Sequence, residues 1–158
     1  MKIVAIDPGM TGSAAILEQI DGTVMLVSVI DLPTVGEGSK RRLDSVVFAG
    51  WLRHHAPSHA FIENAQPMSR QGISSTFRYA RAAGAVEGTV AALRIPLTMV
   101  APVTWKKFFK LTSSKEHSRL RAVQLLPSAA DELRRVKDHN KAESILLAFY
   151  GLEKGLAA

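Results

Sequence analysis

The pair Asp21-Gly22 separates two runs that both read as strands: residues 12–18, with small residues at Ser13, Ala14 and Ala15, and the β-branched run from Val24 to Leu32. Asp-Gly accepts the positive φ angles of a tight hairpin loop, so these runs are expected to pair antiparallel. A third apolar run, "KIVAID" at 2–7, precedes them, and the three make an opening meander. The period then changes. Val46, Val47, Ala49 and Leu52 fit a helix over 43–55 with Asp44 and Ser45 near its start, and "HAFIEN" at 59–64 is a short apolar strand. A long helix rich in small residues spans 74–93, "LTMV" at 97–100 is a fifth strand, and helices are expected over 102–109, 116–126 and 140–153. Residues 33–42, Gly-containing and basic, read as a loop. The order β-β-β-α-β-α-β-α predicts an α/β chain with a mixed five-stranded sheet flanked by helices.

A chain of 158 residues is long enough for one hydrophobic core and too short for two, so residues 1–158 are expected to form a single domain. With 47% hydrophobic and 22% charged residues it has a globular composition, and no apolar run reaches the ~18 residues that span a bilayer. The N-terminus enters a strand pattern directly with no signal-peptide pattern, and a cytoplasmic location is expected. The absence of cysteine excludes disulfides and thiolate metal sites.

The net charge is +6 and the isoelectric point about 9.9, which favours a polyanionic partner, nucleic acid first. Lys40, Arg41 and Arg42 cluster in the predicted loop, and Lys106, Lys107, Lys110, Lys115, Arg119 and Arg121 follow one another with Glu116 opposing them. A solvated helix face is the ordinary alternative for such a run.

Chemistry in an open α/β sheet collects at strand ends. Asp7 ends the first predicted strand and Glu63 lies at the end of the fourth, so the two carboxylates converge if those strands are neighbours. On the last helix, His139 and Asn140 stand four and three residues before Glu143, which puts them on one face. Each residue alone has an ordinary reading: a turn for Asp7-Pro8-Gly9, solvent for Glu63, helix capping for Asp138 and His139. Their conjunction in a basic chain points to a site. Convergent carboxylates repel unless cations neutralise them, and oxygen ligands suit Mg²⁺ or Mn²⁺. Two such ions about 4 Å apart activate water and stabilise the leaving oxygen of a phosphodiester. Gly9 and Gly12 let the backbone bend beside Asp7.

Four segments in order, "AIDPGMTGSAAI", "FIENAQ", "GISSTFRYARAAGAVEGTV" and "HNKAESILLAFYGL", resemble RuvC-type Holliday junction resolvases, particularly their compact phage-like branch, over nearly the whole chain from Ile3 to Leu152. The resemblance implies a ribonuclease H-like fold, a homodimer, and Mg²⁺-dependent symmetric cutting of four-way DNA junctions in recombination and repair. It matches Asp7 and Glu63 to the family's first two catalytic acids and Glu143 to its last. Three residues before that last acid the family carries an acidic residue or His, and this chain has Asn140. Asn140 as a weak ligand, His139 one turn away, or Asp138 fills the place, and His139 with Glu143 is the favoured pairing. Lys106, Lys107 and Lys115 fall where the family contacts phosphates; Arg119, Arg41, Arg42 and Arg70 are further candidate DNA contacts. Met68, then Phe77, are candidates for the apolar side chain that the family inserts at the junction centre. The small-residue helix 74–93 is the expected dimer contact.

Sugar kinases and actin-like ATPases share the first motif, but they need two domains around a cleft and a second Gly-rich phosphate loop. A DNA-binding relative without catalysis, its metal site lost through Asn140, and a ribonuclease H acting on RNA–DNA hybrids are the remaining alternatives.

Overall fold

The computed structural model describes residues 1–64, 72–112 and 114–155, Ser39 by its backbone alone. Met68 and Arg70 lie outside the described residues. The strands are β1 (Lys2–Asp7), β2 (Ser13–Ile20), β3 (Thr23–Asp31), β4 (Thr34–Val35), β5 (Arg42–Leu43), β6 (His59–Glu63) and β7 (Leu97–Val100). The helices are α1 (Ser45–His55), α2 (Ile73–Ala92), α3 (Pro102–Phe108), α4 (Lys115–Leu125) and α5 (His139–Glu153).

The main sheet has the order β3-β2-β1-β6-β7, with β1, β2 and β3 antiparallel and β1, β6 and β7 parallel. Asp21 and Gly22 turn the β2–β3 hairpin with φ of 48° and 82°, both in the left-handed region that such a loop needs. β1 is central, which explains its unbroken apolar run: Ile3 and Ala5 face one core, Val4 and Ile6 the other. On the first face lie α3, α4 and α5, with Trp105, Ala122, Ile145 and Leu146 buried. On the second lie α1 and α2, through Phe48, Leu52, Val86 and Val90. The Asp44 carboxylate accepts from the Val46 and Val47 amides and starts α1.

Residues 33–42 depart from the expected plain loop. Thr34–Val35 pairs with Arg42–Leu43 in a small ribbon, and Leu43 is buried in the second core. Strands of two residues carry no detectable period, so a sequence pattern does not reveal them. Residues 127–133 and 136–138 form 3-10 turns that carry the chain from α4 into α5.

Candidate active site

Alternation along the strands determines what faces α5. Asp7 shares the side of Ile3 and Ala5, and Glu63 shares the side of Phe61, so both carboxylates point to the core under α5. Because Ile6 pairs with Ile62 in the parallel register, Asp7 and Glu63 end adjacent strands side by side. Ser13, opposite Asp7, has its Oγ 2.7 Å from the Asn140 carbonyl and 2.5 Å from Ser144 Oγ, which ties the first turns of α5 to this end of the sheet. Glu143, one turn into α5, is thereby brought to the same place.

Each acid is held. Glu63 Oε2 accepts from the indole Nε1 of Trp105 at 2.9 Å, and that ring is fully buried. Glu143 accepts from Lys106 Nζ at 2.9 Å and from Ser118 Oγ at 3.3 Å. Asp7 follows the β1 backbone into a turn closed by Gly12 N–H donating to the Gly9 carbonyl. The Tyr79 ring packs across Gly9.

The electrostatics show a shortage of positive charge. Burial, then Glu63, then Glu143 push the Asp7 carboxyl up to about 8, against the pull of Lys106. Burial also raises Glu63, and Glu143 adds to this while Lys106 and the Trp105 hydrogen bond hold it down. Burial pushes the Tyr79 phenol up to about 12, and Asp7, Glu63 and Glu87 contribute. Burial works against the Lys106 ammonium, but the Glu143 hydrogen bond and the three carboxylates outweigh it and hold Lys106 above the usual lysine range. Burial first, and then the surplus of three acids over one ammonium, favour the protonated form of Asp7. An all-oxygen donor set with this deficit fits a hard divalent cation, although among the described residues no three His, Asp or Glu side chains already stand in a metal-holding cluster.

The remaining sequence candidates fall elsewhere. Asn140 donates through Nδ2 to the Thr11 carbonyl at 2.6 Å, so it braces the Asp7 loop with a hydrogen that a carboxylate does not have. His139 is the first residue of α5; its Nδ1 is 3.1 Å from the Val136 carbonyl, and it lines a groove with Asp31, Arg41, Lys115 and Lys137. Asp138 is buried and bound by the Arg135 guanidinium and amide, which hold its carboxyl below the usual range. Arg119 clasps Glu116 and the Leu133 and Arg134 carbonyls, so its guanidinium is spent on the 127–135 segment. Lys107, Lys115, Arg41 and Arg42 are exposed, and Phe77 is 66% exposed.

Sequence patterns do not single out Ser118, Tyr79 or Ser144. Trp105 did carry a signal: a buried indole takes a hydrogen-bond partner, and this one sits beside Lys106. Its replacement is informative. Trp105→Phe leaves a buried carboxylate oxygen without its donor, a loss of about 1–3 kcal/mol. Because that bond holds the Glu63 carboxyl down, its titration is expected to move to higher pH in the variant. NMR titration of Glu63 beside thermal melts checks this.

No family model matches the chain, and no curated protein matches it. The solved structures do: the fold is the ribonuclease H-like fold of RuvC-type resolvases. Thermus thermophilus RuvC bound to a Holliday junction substrate is similar at TM-score 0.72 and 18% identity, over 98% of this chain and 97% of that one. The fowlpox virus Holliday junction resolvase is similar at 0.61 and 14%, over 98% and 99%. The yeast mitochondrial resolvase is similar at 0.54 and 14%, over 92% and 76%.

Proposed function

We propose that this chain is a metal-dependent endonuclease that cuts four-way DNA junctions, and in some measure other branched DNA, by phosphodiester hydrolysis during recombination and repair. The observation that carries the reading is the convergence of Asp7, Glu63 and Glu143, from three distant segments, at one end of a sheet shared with junction resolvases. These three would hold Mg²⁺ or Mn²⁺, two ions per site. When bound, the ions supply an activated water and a Lewis acid for the phosphoryl oxygens.

The chain's own residues prepare for this. Trp105 fixes one oxygen of Glu63. Ser118 and Lys106 orient Glu143, and Asn140 with Ser13 secures the loop that positions Asp7. The Lys106 ammonium neutralises the acids before DNA arrives and is within reach of a phosphate afterwards. Lys107 and Lys115, exposed on either side, hold the backbone. His139 lies beside this phosphate path, one groove away from the acids. Symmetric cutting needs two coupled sites, and a homodimer is part of the proposal. Gly84 and Gly88 on the outer face of α2 have no atom within 4 Å of an added Cβ, leaving room there for a partner helix. The reading also keeps the expected cytoplasmic location, where the DNA substrate lies.

Substrate choice tests the reading. A mobile four-way junction, a fork, a linear duplex and an RNA–DNA hybrid are incubated with protein in Mg²⁺, with light scattering on the same samples. The expected result is a dimer that cuts the junction fastest and leaves the linear duplex intact. Preferential cutting of the hybrid would assign a ribonuclease H instead.

A further inference from the structure

Between the β4–β5 ribbon and the first half of α2 lies a cavity of about 280 Å³ whose walls carry Arg41, Arg42, Arg78 and Arg81 with no carboxylate. Phe77 stands at the same wall, 66% exposed. All four arginine side chains are exposed to solvent, so their guanidiniums are accessible to an anion. Arg41 Nε donates to Thr34 Oγ1, and among the described residues none of the four is in an ion pair. Residues 64–86 contain no Asp or Glu at all, so that stretch supplies no counter-charge.

The cavity's place narrows the ligand. Met10, in the loop that follows Asp7, lines this cavity and also the neighbouring groove that holds Lys115 and Lys137. Arg41 lines both as well. That groove also holds Asp31, so a net basic path with one carboxylate along it runs past the Asp7 loop, from α2 across the ribbon to α4. The volume is at the small end for a ligand cavity, suited to one nucleotide and too small for a duplex groove. Guanidiniums bind phosphate oxygens in pairs, and an exposed aromatic ring beside them is a platform for an unpaired base.

We propose that this cavity anchors a single DNA strand, its phosphates on Arg78, Arg81, Arg41 and Arg42 and its base against Phe77, outside the carboxylate site. The proposal rests on the reading of the chain as a DNA-acting protein and names where an unpaired strand is gripped.

The test measures anisotropy of a labelled 12-nucleotide single strand in EDTA against salt, so it does not depend on cutting. Arg78→Ala/Arg81→Ala is compared with Arg53→Ala/Lys154→Ala, which removes the same charge elsewhere on the surface, and with Arg78→Lys/Arg81→Lys, which keeps the charge and loses the paired geometry. Expected are roughly a tenfold loss for the first variant, a drop of about 1.4 in the log K against log salt slope for two lost phosphate contacts, and less than about a twofold loss for the surface control. The Lys variant is expected to recover the slope and only part of the affinity, and Phe77→Ala to lose about tenfold with the slope unchanged. Equal affinity and slope in Arg78→Ala/Arg81→Ala and the surface control would overturn the proposal while leaving junction cutting intact. Loss of strand binding in the first variant, in a protein that cuts no junction in Mg²⁺ or Mn²⁺, would support the anchor and reject the nuclease reading.

Discussion

Asp7→Asn is expected to abolish junction cutting and, in the same experiment, to stabilise the metal-free protein. The first effect follows from removing one of the anionic ligands that would hold the catalytic ions, worth several kcal/mol of transition-state stabilisation, on the order of 10³-fold in rate. The second follows from proton linkage. The Asp7 carboxyl has a value of 3.8 when unperturbed and about 8 in the fold, so between those limits the folded chain binds a proton that the unfolded chain has released. Stability therefore falls as pH rises through that window, as the carboxylate is forced to ionise in a buried site and against Glu63 and Glu143. Asn does not ionise and escapes this penalty. In EDTA at pH 8–9 the variant is expected to melt at least about 2–4 °C above the wild type, the shift that roughly 1 kcal/mol produces in a chain of this size, and the difference should vanish near pH 4. Added Mg²⁺ should raise the wild-type melting temperature and leave that of the variant nearly unchanged. Melting curves with and without metal across pH 4 to 9 check the whole pattern. A variant that melts below the wild type at high pH would contradict the electrostatic account.

Gly12→Ala is the second large effect. A Cβ on Gly12 falls on the Asp7 carbonyl oxygen and 2.7 Å from the Gly9 amide nitrogen, and both are backbone atoms with no freedom to swing away. The turn must open, at roughly 1–3 kcal/mol as for other overpacked sites. Because Asp7 starts this turn, its carboxylate moves with it, and a displacement of about 1 Å at a catalytic group lowers the rate about 10²-fold. Gly9→Ala is the internal control: its Cβ meets nothing closer than 3.8 Å, and activity and stability are expected to stay near the wild type. Melts and single-turnover cutting of both variants separate the strain from a general intolerance of the loop to side chains.

Much of this architecture is legible in the amino-acid sequence, for reasons that belong to particular residues. Asp21-Gly22 specifies a hairpin locally, and the unbroken apolar run of β1 implies a central strand covered on both faces. The strand-end positions of Asp7 and Glu63 place them together once β1 and β6 are neighbours. What the sequence hides is side-chain direction and long-range partnership. His139 and Asn140 both share a helix face with Glu143, yet His139 caps back on Val136 and Asn140 reaches Thr11, a choice made by the first turn of α5. Trp105 meets Glu63 across 42 residues, a contact with no periodic signal. Arg119 looks like part of a basic patch and instead fastens the segment before α5, because carbonyls at the ends of 3-10 turns need donors. The arginine cavity is assembled by the ribbon and α2 together, and neither segment reveals it alone.

The most direct measurement is strand mapping of a four-way junction after incubation with the wild-type protein in Mg²⁺, with EDTA and Asp7→Asn as controls. Paired nicks at symmetric positions on two strands of like polarity, present only with metal and only with Asp7, are the predicted result. A junction that is bound and remains uncut in both Mg²⁺ and Mn²⁺ would contradict the account and leave a DNA-binding protein with the fold of a resolvase.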